Sequence, residues 1–342
     1  MSDGIIAAMK LSALGEFELI ELIKIAVRPT HQPSSETSAR IMVDIGDDTA
    51  AWSGSDLVQL ATTDSLVENV HFKFRWCTWE DLGHKSLAVN LSDIAAMGGR
   101  ARFALVSLSC PGDVDSDQVL EYYRGMTRLA TKHEVVIIGG NLTSSPVVTS
   151  TVCVFGEAFP DHILTRGAAN PGDAIVVTGT LGSAAAAIAL LGDRAVSAEA
   201  VPAPLLRALV RPEARLSEAQ LLVDLGVRCA IDISDGLLSD LGHICECSGV
   251  SATLHAAQVP LSPEYRGTAE LHTKYALVGG EDYELLFACD PSLVPQVAEA
   301  LMCPVTVVGE ITSRTVSPAV TVLDHEGLPL DVGRPGWRHF AL

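Results

Sequence analysis

Ile41-Met42-Val43-Asp44-Ile45-Gly46-Asp47-Asp48-Thr49, followed by Leu57-Val58-Gln59-Leu60-Ala61-Thr62-Thr63-Asp64, is the stretch from which the fold is first read. Each half opens on a short aliphatic and β-branched run, as a strand does, and hands over to carboxylates where that pattern stops. Acids massed at the edge of a core are costly unless a metal, a basic partner or a proton compensates them. Gly-Asp-Asp is also good turn-forming sequence, so on this stretch alone a cation site and a plain turn both stand.

The theme recurs further on. Cys229-Ala230-Ile231-Asp232-Ile233-Ser234-Asp235-Gly236 delivers two carboxylates from a short strand into a glycine turn, and Val135-Val136-Ile137-Ile138 is expected to end in Gly139-Gly140-Asn141. Residues 80–97 have helical spacing, with Leu82, Leu87, Leu91, Ile94 and Ala95 in one apolar stripe and Gly98-Gly99 as a stop. Asn90 and Asp93 share a face of that helix. An acid in a last turn opposes the helix dipole, which makes Asp93 a candidate for an outside partner.

Residues 14–28 and 116–133 predict further helices, 103–109 and 147–155 strands, and 65–72 a loop carrying His71. Residues 174–177, 179–182 and 183–191 read as strand, glycine turn and helix; a phosphate could sit at that helix N-terminus, although no Lys-Ser/Thr follows as a Walker loop requires. A break over 156–172, bearing Pro160, Asp161, Asn170 and Pro171, suggests an N-terminal domain over 1–160 and a C-terminal one over 161–342.

At 342 residues and 48% hydrophobic content the chain has material for two packed domains. Its 23 Lys+Arg against 42 Asp+Glu leave a net charge of -19, which repels nucleic acid and acidic membrane surfaces. A phosphate-bearing partner then needs cations or a local basic pocket. No basic and apolar leader is seen at the N-terminus. The uncharged stretch 174–191 is divided by its glycine turn, so no membrane span is expected. Eight cysteines without a Cys-x-x-Cys pair suit reduced, cytoplasmic thiols, and Cys245 and Cys247 point to opposite sides of a helix.

If the fold gathers Asp47, Asp48, Asp64, Asp93, Asn141, Asp232 and Asp235 on one side, the result is an oxygen-rich site suited to magnesium. No cysteine or histidine is interleaved at zinc spacing, and no Gly-x-Ser-x-Gly elbow occurs. A paired-carboxylate hydrolase would leave most of these acids unexplained. Phosphoryl transfer from ATP accounts for them, because a polyanionic nucleotide and an acidic protein meet through divalent cations.

Further segments appear in order with these: Leu14-Gly15-Glu16-Phe17, Val89-Asn90-Leu91-Ser92-Asp93-Ile94-Ala95-Ala96-Met97-Gly98, Leu164-Thr165-Arg166 and Gly279-Gly280-Glu281-Asp282-Tyr283-Glu284. Together the chain resembles the thiamine-monophosphate kinase family, in the superfamily of aminoimidazole ribonucleotide synthetase and selenophosphate synthetase. The resemblance implies an α/β (α+β), two-domain synthetase-like fold. Its N-terminal mixed sheet with helices would dimerise, and a C-terminal α/β domain would complete the nucleotide and substrate site. It implies ATP-dependent phosphorylation of thiamine monophosphate to thiamine diphosphate by in-line, magnesium-assisted transfer, in a homodimer.

The same resemblance places Asp48, Thr62, Thr63, Asp64, Asp93, Asp232 and Asp235 on magnesium, Arg166 and Ser234 on ATP, and His71, Glu281 and Trp337 on thiamine monophosphate. Asp64, Asp93, Asp235 and Arg166 are the groups expected to drive transfer. One position departs from the family pattern. Gly140-Asn141 stands where the family has Gly-Asp, and the amide can still ligate a hard cation but brings no charge. Other readings therefore stay open: a synthetase or cyclase phosphorylating a carbonyl oxygen, a kinase acting on a different small molecule, and a nucleotide-binding homologue with weakened catalysis.

Overall fold

Helical periodicity and strand alternation translate into a mixed α/β chain. The computed structural model describes residues 16–31, 37, 40–43, 51–52, 56–192, 196–264, 269–314, 319–333 and 336. In order the main elements are α1 Glu16–Val27, β1 Ile41–Val43, β2 Ala51–Trp52, β3 Val58–Val67, α2 Trp79–Ala96, β4 Arg100–Cys110, α3 Ser116–Lys132, β5 Val136–Ser144 and β6 Thr149–Ala158. They continue with β7 Ala174–Thr178, α4 Ser183–Gly192, α5 Ala203–Val210, α6 Leu216–Asp224, β8 Cys229–Asp232, α7 Leu237–Ser248 and β9 Ser251–His255. The last are α8 Ala269–Val278, β10 Leu285–Cys289, α9 Val294–Ala300, β11 Val305–Thr312 and β12 Val320–Leu323.

Two compact units emerge: Met1–Asn90 with Ala101–Glu157, and Leu91–Arg100 with Ala158–Leu342. Helix α2 thus begins in the first and ends in the second. Gly98 stops it at φ +68°, a conformation that costs a glycine little, and the N–H groups of Gly98 and Gly99 donate to Ala95 O (2.8 Å) and Ile94 O (2.9 Å).

The first unit carries a four-stranded sheet in the order β3-β6-β4-β5. Strands β4 and β5 are parallel, joined through α3, whose capping box pairs Asp115 with Gln118. Phe103, Val136 and Ile138 form a buried cluster with Leu105 and Phe155 against it. The buried Glu157 carboxylate accepts from Arg40 Nη1 (2.9 Å) and Arg102 Nε (3.0 Å), and Arg102 Nη1 also reaches Thr37 Oγ1 (2.9 Å). Burial pushes the Glu157 pKa up, but the two guanidinium groups outweigh it and hold the carboxyl below its usual range.

The second unit carries a six-stranded sheet, β12-β9-β11-β7-β10-β8, antiparallel except for the β12–β9 pair. Its strands β7 and β10 are buried at every position and read as continuous apolar runs, as strands covered on both faces do. Ile175, Val177, Ile231 and Leu286 pack with Leu241 and Ile244 of α7 and Leu277 of α8. Each such fully buried aliphatic side chain contributes about 2 kcal/mol of transfer free energy.

Two expected boundaries are corrected. Strand β3 runs through Thr62-Thr63-Asp64 to Val67, so these polar residues lie inside a strand and the expected 65–72 loop begins only after Val67. Strand β5 likewise passes through Gly140-Asn141 to Ser144, pairing Val106 with Gly140 and Ser107 with Asn141. In both, hydrogen bonding to a neighbouring strand carries on where the apolar run has stopped. Among the described residues no helix is long and apolar enough to cross a membrane. All eight cysteines are free; Cys245 is buried and Cys247 exposed, on opposite sides of α7 as expected.

Candidate functional site

In the first unit Thr62, Thr63, Asp64, Gly140 and Asn141 lie on the two outer strands of the four-stranded sheet. Along β3 burial alternates, with Leu60 and Leu66 buried, Thr62 and Asp64 half-buried on the same face, and Thr63 exposed on the opposite one. Thr63 Oγ1 donates to Val152 O on β6 (3.1 Å). The expected Thr62-Thr63-Asp64 set is therefore split between two faces. Gly140 and the exposed Asn141 lie on β5, three strand spacings from β3, or about 14 Å. Glycine at 140 has a steric reason: an added Cβ would collide with the carbonyl of Val106.

His71 closes a tight turn after β3. Its Nδ1 accepts the Val67 N–H (3.0 Å) and its own N–H donates to Val67 O (2.9 Å), which fixes the ring and assigns the neutral ring's proton to Nε2. Asn69, at φ +65°, makes the turn possible.

In the second unit Asp232, Ser234, Asp235 and Glu281 lie at or beside strand ends, and Asp93 lies on helix α2. Asp232 is the last residue of β8, and its buried Oδ2 accepts the Ser92 hydroxyl (2.7 Å). That bond ties Asp232 to the end of α2, one residue before the half-buried Asp93. Ser234 and Asp235 follow, half-buried, in a turn entering α7 through Gly236 at φ +122°. The buried Asp240 reaches back from the first turn of α7, and its Oδ2 accepts the N–H groups of Ser234 (3.1 Å), Asp235 (3.2 Å) and Gly236 (3.0 Å). These donors are thereby committed to the protein, so ligand contacts at this turn fall to the side chains of Ser234 and Asp235. Burial pushes the Asp240 carboxyl up to about 7, with the Asp235 charge adding to it and the backbone N–H groups opposing it.

The turn before α4, where a phosphate could sit but without the Lys-Ser/Thr of a Walker loop, is bonded by the protein's own carboxylate. The Gly182 N–H donates to both oxygens of Asp282 (2.9 and 3.1 Å), and burial raises that carboxyl well above its usual range despite the bond. Glu284, two residues on, accepts from Arg215 Nε and Nη2 (both 2.6 Å) and from the Thr178 hydroxyl (2.7 Å). Burial works against the Arg215 charge, but Glu284 outweighs it and raises the guanidinium pKa. Glu281, half-buried, heads this segment. Arg166 is exposed, its carbonyl accepting from Ser248 Oγ (2.8 Å).

Asp44, Asp47, Asp48 and Trp337 lie outside the described residues. Among the described residues no three His, Cys, Asp or Glu side chains come together as a ready metal cluster. The predicted donors are nonetheless all oxygen, the chemistry of a hard cation that keeps only one or two protein carboxylates and takes its other ligands from phosphate and water. Sequence reading missed Ser92, Asp240, Arg215 and Asp282. Only Asp240 carried a local signal, an acid in a first helical turn.

Residues 46–158 match the family model for the N-terminal domain of AIR synthase related proteins, and 170–320 match that for the C-terminal domain. The chain is 34% identical to the thiamine-monophosphate kinase of Bacillus subtilis, over 96% of this chain and 100% of that protein. The crystal structure of thiamine-monophosphate kinase from Stenotrophomonas maltophilia superposes with a TM-score of 0.79 at 34% identity, covering 90% of this chain and 96% of that one. A structure described as AaThiL complexed with AMPPCP and TMP gives 0.73 at 32% identity, covering 97% and 99%. Similarity of this extent, spanning both domain models and nearly the whole of each relative, makes the chain a member of the thiamine-monophosphate kinase family.

Proposed function

We propose that this protein transfers the terminal phosphoryl group of ATP to thiamine monophosphate, giving thiamine diphosphate and ADP. The observation that carries the reading is similarity along nearly the whole chain to kinases of that name, one related structure of which holds AMPPCP and TMP. Asp48, Thr62, Thr63, Asp64, Asp93, Asp232 and Asp235 are the proposed magnesium ligands, with Asn141 as a neutral one. Magnesium supplies neutralisation of phosphate charge when it is bound.

The chain's own residues have three tasks. Arg166 and Ser234, with the Gly140-Asn141 backbone, hold the nucleotide, and the exposed Arg166 guanidinium offsets the repulsion between two anionic substrates. His71, Glu281 and Trp337 hold the acceptor: Glu281 opposes the positive charge of the thiazolium ring, and an aromatic face suits the same cation. No side chain needs to remove a proton from the acceptor, because a phosphate monoester oxygen is already ionised near neutral pH. Positioning then supplies most of the acceleration. The protein is further proposed to act as a cytoplasmic homodimer.

Asn141, standing where a charged ligand is expected, favours one second reading, an ATP-dependent synthetase or cyclase of the same superfamily. Incubation with ATP, magnesium and thiamine monophosphate separates the two. Thiamine diphosphate and ADP in equal amounts are expected, and failure to form thiamine diphosphate while ATP is consumed with a carbonyl substrate would establish the second reading.

A further inference from the structure

Two residues of the Gly279-Gly280-Glu281-Asp282-Tyr283-Glu284 segment adopt a backbone conformation that side-chain-bearing residues avoid: Glu281 at φ +72° and Tyr283 at φ +51°. Such a pair persists only where its surroundings over-determine it, and strain of this kind concentrates at functional sites. Here the restraints are identifiable. The N–H groups of Glu281 and Tyr283 donate to Ser234 O and Ile233 O, and the Ile233 N–H donates back to Glu284 O, each at 2.8 Å. The side chains on either side of Tyr283 are anchored in two different directions, Asp282 on the Gly182 N–H and Glu284 on Arg215 and Thr178. Thr178 Oγ1 in turn accepts the Leu285 N–H (2.9 Å), so the anchor reaches the start of β10.

We propose that the Arg215–Glu284 ion pair is a positioning device for acceptor recognition, holding the strained segment so that Glu281 is presented to thiamine monophosphate. Arg215 and Glu284 are positioning residues, touching no substrate themselves. This rests on Glu281 contacting the acceptor. A planar guanidinium donating two parallel bonds fixes a carboxylate in direction as well as distance, which a lysine ammonium does not. The neighbouring Ser234–Gly236 turn, though bonded to Glu281 through Ser234 O, has an anchor of its own in Asp240. Loosening the ion pair should therefore weaken the acceptor side and spare the nucleotide side, whereas a purely structural pair would lower thermal stability and leave both KM values alone.

Steady-state kinetics with each substrate varied in turn tests this on the full chain, with Glu281→Ala as reference. Arg215→Lys and Glu284→Gln are each expected to raise KM for thiamine monophosphate about tenfold and to leave KM for ATP within twofold. A tenfold or larger rise in Glu281→Ala, with Arg215→Lys and Glu284→Gln moving only the melting temperature or both KM values alike, would overturn the positioning role and leave the acceptor assignment standing. An unchanged KM in Glu281→Ala would overturn both. If neither ion-pair variant folds, Thr178→Val, which removes the hydroxyl that bonds both Glu284 and the Leu285 N–H, decides: a selective rise in the acceptor KM supports the device, and unchanged kinetics counts against it.

Discussion

The two units present their predicted site residues in different ways. In the first, Thr62, Asp64 and Asn141 sit within outer strands, half-buried or exposed, and a buried polar lock, Glu157 with Arg40 and Arg102, involves none of them. In the second, the locks bear directly on the predicted residues: Asp240 holds the turn of Ser234 and Asp235, Ser92 holds Asp232, and Arg215 with Asp282 holds the segment of Glu281. Stability and site geometry are thus separable in the first unit and fused in the second. A sheet already fixes side-chain direction through its backbone ladder, whereas a loop needs side chains to do so.

The sharpest test of that contrast is Asp64→Ala. Its side chain leaves a half-buried strand position, so the melting temperature should move by no more than a few degrees, while phosphoryl transfer falls by about a thousandfold or more. Asp93→Ala, in the second unit, should also abolish transfer. Product formation and thermal melts on the same samples check both, and a normal rate in either variant removes that residue from the catalytic set.

The parts of this picture that were legible from sequence are those with local causes. Helix α2 shows its apolar stripe and its Gly98 stop within twenty residues, and β8 delivers Asp232 and Asp235 as its pattern foretells. Strands β3 and β5 were read too short because Thr62-Thr63-Asp64 and Gly140-Asn141 are polar or small, and the hydrogen bonds that continue the strand come from partners distant in the chain. Arg215 and Glu284 lie 69 residues apart, and Ser92 and Asp232 140 apart; no spacing rule joins them. Helix N-termini were legible, but not that Asp240 and Asp282 fill two of them.

Glu157→Gln should produce the reverse of Asp64→Ala: a stability loss of roughly 3 kcal/mol, from breaking a buried pair, with kcat at neutral pH unchanged. Its pH dependence has a definite sign. Because the folded state holds this carboxyl below its unfolded value, the stabilisation is fully present above about pH 4.5 and is lost as pH falls through the lower folded pKa. Wild-type stability measured by denaturant titration should therefore fall more steeply below pH 4.5 than that of Glu157→Gln. Parallel acid limbs would show that Arg40 and Arg102 do not favour the ionised form.

The smallest expected effect is also the most specific to this chain. Asn141 is exposed on β5, and its neighbour Gly140 is required by the close approach to Val106, so Asn141→Asp changes charge without altering backbone or packing. Stability should shift by less than about 0.5 kcal/mol, as at other exposed positions. If Asn141 is a neutral magnesium ligand, the aspartate should lower the magnesium concentration for half-maximal activity about fivefold, equivalent to about 1 kcal/mol. Unchanged magnesium dependence would show that the residue ligates no ion. Among the described residues of the first unit the proposed cation ligands would then be those of β3 alone, and the missing charge at 141 would bear on nucleotide contact instead.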